Sequence, residues 1–381
     1  MPADPPSFVT PAYKQRSLAD VLPAVARGLG VELAFGLDGH AADLILPEAQ
    51  KYVVFLVDGL GFELLRDHPK AAPYLHSLAE GTVPATVGVP STTATSLTSL
   101  GTALPPAVHG VVGYTSRIPG THALLNALMW SKDVDPHQWQ PHPTAFGRLA
   151  AAGVRTTTVN KREFAGSGLT VASTRGAEFV GADRLGERLV AVRDASSRGP
   201  SLTYMYDGDL DWTGHRFGVA SAQWEAQLSM IDLSAERLRE SLPDDVRIVV
   251  VADHGMVDCP ADRRTDVEDH PELRAGVTLI GGEARFRHVY CQDGAVDDVI
   301  DTWRAHLDDR AEVLTREEGY ARGWFGDGGG AEVRQRIGDV VVACQGDAAV
   351  LDTSTFPYEA RLVGMHGSLT PAEMLVPVLV A

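Results

Sequence analysis

Two kinds of apolar pattern alternate along the chain. Residues 53–57, 202–206 and 248–252 are short, mostly apolar runs rich in β-branched or aromatic residues, as expected of strands buried on both faces of a parallel sheet. Residues 185–192 and 220–242 instead repeat apolar positions every three or four residues. In the longer segment Trp224, Leu228, Ile231, Ala235, Leu238 and Leu242 fall on one helix face. Residues 145–160 read as a helix, a glycine stop and a strand. This alternation predicts an α/β fold with a mostly parallel central sheet and helices on both faces.

The flanking segments add detail. Residues 2–11 are proline-rich and predict a surface arm, and residues 19–29, opened by Ser17, predict a helix strained by Pro23. Residues 71–79 read as helix and 82–89 as extended chain. The hydroxyl-rich stretch 91–101 reads as a short helix ended by Gly101. Beyond residue 262 the character changes. Residues 277–290 predict a hairpin turning at Gly281-Gly282, 297–307 a helix and 338–352 a strand pair. Residues 262–352 are therefore expected to form a small α+β insertion in a catalytic domain made of 1–261 and 353–381, whose last strand rejoins the main sheet.

The apolar runs end in acids. Asp58 follows the first, a cluster containing Asp211 and His215 follows the second, and Asp253-His254-Gly255 follows the third. Asp253 alone would read as a helix cap. Carboxylates delivered by three buried strands to one sheet edge, however, leave uncompensated negative charge unless a cation sits there. The seven hydroxyls of residues 91–99 exceed what a cap requires, and they place Thr92, Thr93, Thr95 or Ser96 near a helix N-terminus suited to an anion.

Composition narrows the partners. A net charge of −17 argues against a nucleic-acid polymer, yet leaves room for a small phosphorylated substrate beside a bound dication. Cys259, Cys291 and Cys344 are odd in number and scattered, so neither a disulfide framework nor a cysteine zinc ribbon is expected. Buried thiols in a reducing compartment fit better. The N-terminal stretch lacks an apolar signal-peptide core and no run reaches the length of a membrane span. A soluble cytoplasmic protein without membrane contact is expected, and the sequence sets no oligomeric state.

Taken in order, Asp58, the hydroxyl run, Asp211-x-x-x-His215, Asp253-His254-Gly255 and Gly364-x-His366-Gly367 resemble the alkaline phosphatase superfamily, specifically its nucleotide pyrophosphatase/phosphodiesterase-like branch. The resemblance spans residues 53–381. It implies two zinc ions, one held by Asp58, Asp253, His254 and the nucleophile, the other by Asp211, His215 and His366. Aligning back from His109-Gly110 places the nucleophile at Thr93, with Thr92 the competitor. Thr95 and Ser96 stand where the family has Pro-Asn, and Ala103 replaces the family's Gly after Thr102. Tyr114 occupies the position of a phosphate-binding Asn, so Tyr114 or Asn126 would supply that hydrogen bond. Three carboxylates and an alkoxide would balance two zinc ions, with the three imidazoles neutral.

The implied activity is hydrolysis of a phosphodiester or phosphoanhydride bond, in a small substrate such as a nucleotide, through a phospho-threonine. Phosphomonoester or phosphonate hydrolysis at the same site is the alternative, and a catalytically silent metal- or nucleotide-binding protein is the alternative from another class. A diester is favoured because residues 88–116 contain no Arg or Lys, leaving Lys132, Lys161 and Arg162 as the cations that could reach a dianionic monoester. Trp130 and Trp212 are expected in core packing ahead of a substrate platform.

Overall fold

The computed structural model describes residues 8–32 and 44–381. Five parallel strands form most of the central sheet: Lys51–Val57 (β1), Arg155–Asn160 (β2), Glu178–Gly181 (β3), Ser201–Asp207 (β4) and Val246–Val251 (β5). A second, antiparallel sheet follows from Val277–Glu283 (β6), Phe286–Cys291 (β7), Ala311–Thr315 (β8) and Val340–Cys344 (β9). The chain then returns as Val378–Val380 (β10), antiparallel to β5. The central order is β10-β5-β1-β4-β2-β3. Residues 52–57 of β1 are fully buried, as its unbroken apolar run predicts.

The longer helices include Val21–Gly28 (α1), Thr93–Thr102 (α2), Ala145–Ala151 (α3), Gly168–Thr174 (α4), Leu185–Ala195 (α5), Asp209–Phe217 (α6), Ala222–Ser241 (α7) and, packed on the second sheet, Val296–Leu307 (α8). Ser221 caps α7, its Oγ accepting from the Trp224 N–H at 3.1 Å. The predicted apolar face of α7 is buried from Trp224 to Leu238, and Leu242 is the first residue beyond the helix. Among the described residues no helix is long and apolar enough to cross a membrane.

Several local expectations are corrected. Pro23 causes no break, because α1 starts at Val21 after a 3-10 turn and a first-turn N–H needs no helical partner. Residues 2–7 of the expected arm lie outside the described residues. Just beyond them, the Val9 N–H donates to Leu369 O at 2.8 Å. Gly101 does not end α2, which runs to Thr102 and closes at Ala103 in the left-handed region. A Cβ on Gly101 would sit 1.8 Å from the Ser173 carbonyl oxygen, so that glycine permits close packing of α4 on α2. The β6–β7 turn lies at Ala284-Arg285 instead of Gly281-Gly282, with the Arg285 guanidinium drawn into a buried pair with Glu373. Residues 340–344 and 349–351 do not pair with each other, since the latter run parallel to residues 264–266.

Candidate active site

Strands β5, β1 and β4 are neighbours, so their C-terminal ends lie side by side at one sheet edge, where open α/β sheets carry their sites. Asp58 follows β1, Asp253 and His254 follow β5, and α6 begins two residues after β4. On α6, Asp211 and His215 are four apart and share a face. Thr93 is the first residue of α2, and His366 arrives on the loop after a short strand at residues 364–365. Gly255 lets this edge pack tightly: a Cβ there would sit 1.9 Å from the Ala372 carbonyl oxygen. Its role is close approach.

These side chains converge. His254 Nε2 lies 3.4 Å from Asp58 Oδ1 and 3.7 Å from Asp253 Oδ2. His366 Nε2 lies 3.2 Å from His215 Nε2 and 3.7 Å from Asp211 Oδ1, while His215 Nε2 is 3.5 Å from Asp211 Oδ2. The His254 and His366 rings stack at 3.6 Å and join the two groups. The Thr93 hydroxyl sits 3.2 Å from His254 Nε2 and 3.4 Å from Asp58 Oδ2.

The donor set fits divalent cations. Each imidazole turns Nδ1 to a backbone carbonyl: His254 to Gly255 at 2.9 Å, His215 to Gly364 at 2.9 Å and His366 to Ser91 at 3.0 Å. With the ring proton on Nδ1, all three Nε2 lone pairs point inward, the tautomer of a metal ligand. Two such lone pairs facing each other at 3.2 Å make sense only around a positive charge. Asp58 Oδ1, Asp211 Oδ1 and Asp253 Oδ2 are buried and accept no hydrogen bond, each a costly orphan unless a cation takes it.

The electrostatics agree. Burial pushes Asp58 well above the usual carboxylate range, and the charges of Asp253 and Asp211 push it further. Burial also raises Asp211 and Asp253, opposed by His215 and His254 respectively. Burial lowers His254 and holds His366 well below the usual imidazole value, which keeps both neutral for ligation. The Tyr206 hydroxyl donates to Asp58 Oδ2, and the Gly59 N–H donates to Asp253 Oδ1 at 3.1 Å.

Two cavities meet at Thr93 and Asp211. The first, of about 250 Å³, is lined by Leu97 and Leu100 of α2 and by Phe146, Phe164, Phe179 and Tyr206. The second, of about 240 Å³, is lined by Thr92, Tyr114, Glu283, Tyr358 and Glu359. Neither lining includes a Lys or Arg. Lys161 pairs with Asp209 at 2.9 Å, Arg162 pairs with Asp183 and Glu187, and Lys132 is on the surface.

Tyr114 reaches the second cavity, where its ring meets that of Tyr358 at 6.0 Å. Asn126 lines neither cavity. Its Oδ1 accepts from the Leu128 and Met129 N–H groups at 3.0 and 2.9 Å, which closes a local turn. Trp130 packs near Trp139 and donates to Val134 O at 2.9 Å. Trp212 is 58% exposed and lines neither cavity. Sequence reasoning missed Glu283, Tyr206, Phe164 and Phe179. Glu283 comes from β6 of the second sheet, and its Oε2 lies 3.5 Å from His366 Nδ1.

Residues 52–369 match the family described as type I phosphodiesterase / nucleotide pyrophosphatase. No curated protein sequence matches the chain. Among solved structures, murine ectonucleotide pyrophosphatase/phosphodiesterase 5, an inactive variant in complex with AMP, is 18% identical, with 87% of each chain covered and a TM-score of 0.69. The human counterpart is 17% identical, again with 87% of each chain covered, at a TM-score of 0.66. Phosphonoacetate hydrolase from Sinorhizobium meliloti 1021, in complex with phosphonoformate, is 19% identical over 92% of this chain and 93% of its own, at a TM-score of 0.66.

Proposed function

The chain belongs to the type I phosphodiesterase / nucleotide pyrophosphatase family of phosphoric ester hydrolases, with an alkaline phosphatase-like fold, and we propose that it hydrolyses small phosphodiesters through a phospho-threonine on Thr93. The observation that carries this reading is the convergence of three orphaned carboxylate oxygens and three inward Nε2 atoms beside one threonine hydroxyl.

Asp58, Asp253 and His254 would hold one zinc ion next to Thr93, and Asp211, His215 and His366 the other. When bound, the two ions supply Lewis-acid charge at the phosphoryl group and the attacking hydroxyl. Thr93 Oγ loses its proton and bonds to phosphorus as the P–O bond to the leaving ester oxygen breaks and that oxygen takes up a proton; water then cleaves the Thr93–phosphate ester, giving the phosphate product and returning a proton to Thr93 Oγ. The N-terminus of α2 has no side-chain cap, which favours an anion beside Thr93. The aromatic first cavity suits an apolar or flat ester group, such as a nucleobase. His366→Ala removes one of three ligands of the second ion, and elemental analysis of the zinc-loaded variant should show a loss close to one equivalent. Unchanged metal content would refute this ligand's assignment.

Charge supports a diester over a monoester. A monoester brings an extra anionic oxygen, and neither cavity offers a Lys or Arg to meet it. Glu283 faces the second cavity, where burial raises its carboxyl well above the usual range. We also propose that residues 262–352, which have an apolar cluster of their own, form an insertion into the catalytic domain and lend it Glu283. The unpaired cysteines support a reducing compartment. The test is kcat/KM with zinc present on p-nitrophenyl phosphate, bis-p-nitrophenyl phosphate and the p-nitrophenyl ester of thymidine monophosphate. The diesters should lead by about tenfold or more, the ratio set by roughly 1.4 kcal/mol of unfavourable charge interaction. A clear lead for the monoester overturns the preference.

A further inference from the structure

A second group of metal-type donors lies on elements that take no part in the active centre. His270 and Glu272 flank Pro271 at the start of a 3-10 turn, Pro271–Arg274. His306 lies in the last turn of α8. His306 Nδ1 is 3.3 Å and His270 Nδ1 3.7 Å from the same atom, Glu272 Oε1. The two rings lie 4.1 Å apart at 61°. One donor atom from each residue falls within 4.8 Å of the others.

We propose that His270, Glu272 and His306 bind a divalent transition-metal ion of zinc type, separate from the active-centre ions. Donors held at about 2.0–2.1 Å around tetrahedral zinc lie about 3.3 Å from one another, and the two separations from Glu272 Oε1 are 3.3 and 3.7 Å. Both imidazoles aim Nδ1 at one carboxylate oxygen, with their rings 4.1 Å apart. A dication accepts both lone pairs and the carboxylate together.

The scaffold is already fixed. The buried Trp303, one turn before His306, donates its indole N–H to Leu273 O at 3.0 Å, and the Leu273 N–H donates to His270 O at 2.9 Å. The backbones carrying the donors are therefore held together without the metal. Arg274, the neighbouring cation, is engaged by Asp352 at 2.7 Å. Among the described residues, the ion partners of Glu272 are the two histidines. The carboxylate side chain is 52% exposed, which leaves a coordination position for water and a path of entry. The bound ion would clamp the 3-10 turn to α8.

The test compares the wild-type protein with His306→Ala and Glu272→Gln, each dialysed to equilibrium against micromolar free zinc. Elemental analysis should show one equivalent less in either variant. The melting temperature in chelator should match wild type, and turnover of bis-p-nitrophenyl phosphate should be unchanged. Zinc should raise the wild-type melting temperature more than that of either variant. Equal metal content in all three proteins, or a difference other than one equivalent, overturns the proposal. The readout is a difference between proteins with the same active centre, so it stands whether or not the phosphodiesterase reading does.

Discussion

Thr93→Ala is expected to lower kcat on bis-p-nitrophenyl phosphate by on the order of 10³ or more, the scale of losing a covalent nucleophile, with metal content nearly unchanged. The Thr93 hydroxyl is within 3.4 Å of both His254 and Asp58. The six carboxylate and imidazole ligands that would keep the ions in place remain in the variant. Thr92 is the control. It precedes α2 and lines the second cavity with Glu283, so Thr92→Ala should cost far less. Thr93→Ser keeps a hydroxyl at the same atom and should retain measurable turnover. If Thr92→Ala abolishes activity while Thr93→Ala does not, the assignment of the nucleophile is wrong by one residue.

The parts of the site that were legible in the sequence are those whose signal is local. An apolar run that ends in Asp58 or Asp253 marks both the strand and its chemistry, because a strand buried on both faces disfavours a charged residue until it emerges at the sheet edge. The four-residue spacing of Asp211 and His215 marks one face of a helix in the same way. His366 has no such signal, and only the order of motifs along the chain singled it out. Glu283 was invisible because nothing in the strand around it distinguishes a surface acid from one carried to the site by a second sheet. Phe164 and Phe179 are spread over separate elements and meet only when the chain folds. Asn126 lies outside both cavities, its oxygen accepting from Leu128 and Met129 in a local turn.

The misplaced β6–β7 turn leads to the second large effect, on stability. Arg285 occupies the true turn and is completely buried, as is Glu373. The guanidinium grips the carboxylate with two bonds, Nε to Oε1 at 2.7 Å and Nη2 to Oε2 at 2.8 Å, and it also donates to Gly346 O at 2.8 Å. Glu373 in turn accepts from the Ser368 N–H at 3.0 Å and from the Thr370 hydroxyl. The pair thus ties the second sheet to the segment that carries His366. Arg285→Leu should destabilise the protein by about 3–5 kcal/mol, because it leaves a buried carboxylate without its cation. Arg285→Lys keeps the charge but loses the two-pronged fit, and should fall in between. The double variant Arg285→Leu/Glu373→Leu should lose less than the sum of its single changes, since no uncompensated charge remains. Urea unfolding at fixed free zinc measures all of these. A loss below about 1 kcal/mol for Arg285→Leu, the range of a solvent-exposed ion pair, would show that this contact does not hold the two sheets together.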